Sequence, residues 1–87
     1  MAYATEALQA LIEKLEEMDK NGLTKELDAE IEGLANECLI TPYGGCAWEN
    51  IDALRKLGYR VYSGDKDSFG WLTGVIENKK GVYVVYG

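Results

Sequence analysis

The chain predicts an α+β fold, in which an N-terminal antiparallel helical hairpin and a third helix pack on a C-terminal three-stranded antiparallel β-sheet. Three observations point there. Apolar residues recur at helical spacing up to Cys38, whereas from Tyr59 onward aromatic and β-branched residues gather in short runs. Eight of the nine aromatics and eight of the ten glycines follow Pro42, so composition changes along with period. Charge divides near the same point: residues 1–38 hold ten carboxylates against three lysines, and residues 39–87 hold five against six cations.

Each element follows from local chemistry. In the first helix Leu8, Leu11, Ile12, Leu15 and Met18 share a stripe, Thr5 offers an N-cap hydroxyl, and Asn21-Gly22 supplies a stop. Thr24 can cap a second helix, whose stripe is Leu27, Ile31, Leu34 and Cys38. The tight turn between them makes an acidic helical hairpin over 1–38. Residues 39–46 read as a loop, because Pro42 extends the residue before it and Gly44-Gly45 breaks regular structure, with Leu39 and Ile40 adding a short strand. A third helix is expected over 47–57, with Glu49 and Asp52 early, Arg55 and Lys56 late, and Gly58 just beyond, an order that suits the helix dipole. Residues 58–87 read as a β-meander: strands over 59–63, 69–77 and 82–86, a turn over 64–67, and a hairpin at Asn78-Lys79-Lys80-Gly81. At 87 residues the chain has room for one domain, 1–87.

The composition excludes much chemistry. Without histidine there is no Ser-His-Asp or Cys-His arrangement and no imidazole metal site. Cys38 and Cys46 are too few for a zinc centre and read as free thiols of a cytoplasmic protein, since neither a signal peptide nor a span of ~20 apolar residues is present. No catalytic residue, cofactor or metal is therefore expected. Cys46, after Gly44-Gly45 at a helix start, is the one candidate nucleophile for an enzyme or redox protein, but it lacks a general base and Glu49 opposes a thiolate. Asp65-Lys66-Asp67-Ser68-Phe69-Gly70 imitates the start of a calcium loop and then fails, with Phe69 and Ile76 where oxygen ligands are required.

The acidic helices carry the functional expectation. Glu13, Glu16 and Glu17 lie away from the first stripe, and Glu26, Glu30 and Glu37 away from the second, with Glu16–Lys20 a local pair at i,i+4. Such a face fits a basic protein partner, including the nucleic-acid groove of another protein, which it would enter as a nucleic-acid mimic. Tyr43 and Trp48 form a second contact surface if exposed; the alternative places Trp48 under the loop as a core cap. The expectation is a non-enzymatic protein-binding module, an inhibitor or adaptor of the size and charge that phages and mobile elements use. A winged-helix DNA binder, reading with 47–57 and a wing at Lys79 and Lys80, is the rival, and the acidic half argues against direct nucleic-acid contact. Aromatic strand edges also invite self-pairing into a homo-oligomer.

Overall fold

The computed structural model describes residues 3–66 and 72–87. The elements run α1 (Thr5–Asn21), α2 (Lys25–Cys38), α3 (Trp48–Lys56), β1 (Arg60–Lys66), β2 (Leu72–Glu77) and β3 (Tyr83–Tyr86). The strands form one antiparallel sheet in the order β1-β2-β3. Helices come first and the sheet last, as the change of period predicts.

Caps explain most boundaries. Thr24 accepts a hydrogen bond from the Leu27 amide at 3.1 Å and starts α2. Gly22, at φ 83°, closes α1 by donating to the Met18 carbonyl. Past α3, the Gly58 amide donates to Arg55 and the Tyr59 amide to Leu54, while Gly58 takes φ 101°. That pair of bonds is a Schellman motif, and Leu54 and Tyr59 supply its buried apolar contact. The β2–β3 turn closes through Asn78, whose side-chain oxygen accepts from the amides of Lys80 and Val82, with Gly81 at φ 84°.

The core lies between the helices and one face of the sheet. Leu8, Leu11, Leu15 and Met18 of α1 meet Leu27, Ile31, Ala35 and Cys38 of α2, then Ile51 and Leu54 of α3, and Val61, Ile76, Val84 and Tyr86 of the strands. Tyr86 lies flat across Gly74, its cross-strand neighbour, where an added Cβ would sit 2.3 Å from the ring. Its hydroxyl reaches Ser63 at 2.7 Å, so one aromatic spans all three strands. The opposite face of the sheet carries Tyr62, Val75, Tyr83 and Val85; Tyr62, Tyr83 and Val85 are exposed, and Val75 is half-buried.

Several expectations are corrected. Thr5 is not the N-cap: that position falls to Ala4, left-handed at φ 53° and without a side-chain cap bond, just after Tyr3, whose carbonyl accepts from Asn50. On α2 it is Ala35 that is fully buried, whereas Leu34 lies half-buried on the flank of the stripe. Leu39 and Ile40 form no strand; a single bridge, Ile40 to Cys46, pinches the 39–46 loop. The third helix is one residue shorter at each end than 47–57. β1 continues to Lys66 where a turn over 64–67 was expected, and its pairing with β2 shifts register between Ser63 and Lys66. Of the calcium-like motif, Asp67 to Gly70 lie outside the described residues, as does the expected strand start over 69–71.

Candidate functional site

Glu13, Glu16, Glu17, Glu26, Glu30 and Glu37 are all exposed on the helical hairpin. They are not equivalent. Lys14 reaches across from α1 to Glu30 at 2.7 Å and lies 3.7 Å from Glu17, and these neighbours hold its ammonium above its ordinary pKa. Glu13 faces straight outward from α1, opposite the buried stripe, and Glu26 and Glu37 occupy the outer side of α2. Glu16 lies on the other flank, where its charge acts on Tyr59; the expected Glu16–Lys20 pair does not form. Glu37 stands in the last turn of α2, which has no basic residue, so it opposes the helix dipole.

The acidic hairpin ends beside an aromatic loop. Thr41 donates its amide to Gly45, accepts the Gly44 amide at its carbonyl and the Gly45 amide at its hydroxyl, and so folds Pro42 and Tyr43 into a tight tip. Tyr43 is 97% exposed at that tip. Trp48, at the start of α3, is 53% exposed rather than a core cap, with the Arg55 guanidinium 5.8 Å above its ring. Arg55 also donates to the Val61 carbonyl at 2.8 Å, which covers the outer edge of β1. Asn50 brings the three helices together here, donating to the Tyr3 and Cys38 carbonyls. The loop, the start of α1 and Glu37 therefore share one end of the molecule.

The other end of the molecule is built around Asp19. Asp19, at the close of α1, accepts from the Tyr59 hydroxyl at 2.7 Å and from the Asn78 amide at 2.9 Å, while the Lys80 ammonium caps its backbone carbonyl at 2.9 Å. Burial, then the bond to Asp19 and the charges of Asp19 and Glu16, push the Tyr59 hydroxyl up, so it stays protonated and donating. Around this network lies a cleft of about 390 Å³ lined by Asp19, Lys20, Leu57, Gly58, Tyr59, Lys79 and Lys80. In the sequence Asp19 reads as one more helix carboxylate. A polar residue on the flank of the apolar stripe was the available signal.

Cys38 is buried, and desolvation with the nearby Glu37 charge pushes its thiol up to about 12. Cys46 is a half-buried free thiol on the bridge before α3. Among the described residues no group of three or more Cys, Asp or Glu side chains is placed to hold a metal ion, and no helix is long and apolar enough to cross a membrane. Fold and surface together define a small α+β protein with one strongly acidic helical face. No protein-family model, curated protein or solved structure matches the chain.

Proposed function

We propose that the protein is a non-enzymatic binding module of the cytoplasm, an inhibitor or adaptor whose acidic helical hairpin docks on a basic surface of a protein partner. The observation that carries this reading is the outward placement of Glu13, Glu26 and Glu37, which meet no lysine or arginine of the chain within ion-pair distance among the described residues. Charge of one sign on one face steers a partner of the opposite sign and raises the rate of encounter. Tyr43 and Trp48, exposed at the adjoining end, add apolar anchors of the kind that dominate binding energy once desolvated.

The decisive variant reverses Glu13, Glu17, Glu26 and Glu30 to lysine. Captured from lysate of the native host at low salt, the partner should be retained by the natural chain, released at high salt, and lost from the variant while its far-ultraviolet circular dichroism is unchanged. Capture indifferent to both salt and charge reversal would contradict the reading.

A further inference from the structure

The cleft at the end of α1 has no part in that reading, and its chemistry is of the opposite sign. Three segments distant in sequence build it: the end of α1, the Schellman turn after α3 and the β2–β3 turn. They are joined by partly buried hydrogen bonds from Tyr59 and Asn78 to Asp19, and by an exposed one from Lys80. Asn78, only 3% exposed, spends its oxygen on two backbone amides and its nitrogen on Asp19. The walls are therefore preformed, and the cleft lies within the ~300–1,000 Å³ range typical of small-molecule sites.

Its lining has two characters. Lys20 and Lys79 form no ion pair among the described residues, and Lys80 is engaged only by neutral oxygen, the Asp19 carbonyl. The lining thus holds three lysines and one carboxylate, Asp19, which is already bonded to Tyr59 and Asn78, with Glu16 near enough for its charge to act on Tyr59. The C-terminal ends of α1 and α3 also approach the cleft, which by itself disfavours an anion. Four of the carbonyls at these ends are occupied, however: Met18 by Gly22, Asp19 by Lys80, Leu54 by Tyr59 and Arg55 by Gly58. Beside the charges lies an apolar wall of Leu57, 54% exposed, and the methylene stem of Lys79. That stem runs so close over Gly58 that a Cβ there would sit 2.8 Å from Lys79 Cε.

We propose that this cleft binds a small phosphomonoester, its dianion held by Lys20, Lys79 and Lys80 and its organic body laid on Leu57. Lysine ammonium groups act as point charges with several donors, which suits a tetrahedral dianion, whereas flat bidentate recognition of a carboxylate calls for the arginine fork that the lining lacks. The test is a titration of the ¹⁵N-labelled full chain with phenyl phosphate, inorganic phosphate and benzoate. Phenyl phosphate should shift the amides of Gly58, Tyr59, Lys79 and Lys80 saturably at millimolar concentration, and bind at least ~10-fold more tightly than benzoate. Lys20→Met with Lys79→Met should abolish those shifts with the rest of the spectrum unmoved. Leu57→Ala should weaken phenyl phosphate but leave inorganic phosphate unchanged, a readout that does not depend on the lysine variants folding. Unsaturable shifts, equal binding of benzoate, or shifts that survive the double lysine variant would overturn the site. None of these outcomes bears on the acidic hairpin, whose test uses other residues.

Discussion

Each end of the molecule is closed by a buried asparagine, and the two are satisfied to different degrees. At the loop end Asn50 donates twice, to the Tyr3 and Cys38 carbonyls, but its own side-chain oxygen finds no donor among the described residues. The chain enters α1 there through Ala4 in a left-handed conformation that costs a non-glycine residue ~1–2 kcal/mol. At the cleft end Asn78 uses both its oxygen and its nitrogen, and Asp19 and Tyr59 complete the set. Partly satisfied networks open more readily than complete ones. The comparison teaches a division of labour. Under the two proposals, the loop end, with exposed Tyr43 and Trp48, would be the end that adapts to a partner and the cleft end the fixed one.

Removing each asparagine tests that contrast. Asn78→Ala leaves the amides of Lys80 and Val82 and one oxygen of Asp19 without their partner, and should lower unfolding free energy by about 3 kcal/mol in urea titrations. Asn50→Ala exposes only two carbonyls, which tolerate loss of a donor better than amides do, and should cost about 2 kcal/mol or less. A larger cost at Asn50 would reverse the assignment of the rigid end.

Alkaline pH probes both ends together, since each holds an acid in its protonated form: Cys38 at the loop end and Tyr59 at the cleft end. A folded pKa above the unfolded one gives stability that is whole below the unfolded value and lost as pH rises through the folded value. For Cys38 that window runs from 9.0 to about 12. Thermal midpoints should therefore fall across it, and Cys38→Ala should flatten the lower part of the decline. The smallest effect is expected at Ala4. Ala4→Gly relieves the left-handed backbone and should raise stability by up to about 1 kcal/mol; a loss of stability would mean that the packing of the Ala4 methyl against the core outweighs the strain.

Where local chemistry decides, the sequence was readable. Thr24, Gly22, Gly58 and the Asn78–Gly81 turn each act through bonds to residues a few positions away, and each stands where spacing and residue type place it. The start of α1 at Ala4 rather than Thr5 lies beside a long-range bond, from Asn50 to the Tyr3 carbonyl 47 residues earlier, which local spacing does not reveal. The strands were legible as strands but not by face: in 82–86 both registers are apolar, so alternation does not say that Val84 and Tyr86 turn inward while Tyr83 and Val85 turn out. The acidic hairpin could be read from helical spacing alone. The lysine cleft could not, since its lysines come from α1 and from a turn some sixty residues later.

Most direct for the docking of the hairpin is the association rate of the captured partner, measured against ionic strength for the natural chain and for a variant with Glu13→Lys and Glu26→Lys. Both positions leave the Lys14 bridge to Glu17 and Glu30 intact. The natural chain should bind fastest at low salt, at ~10-fold or more above the variant, and the two rates should converge as salt screens the face. Equal rates for both chains at every salt concentration would contradict an encounter guided by that face.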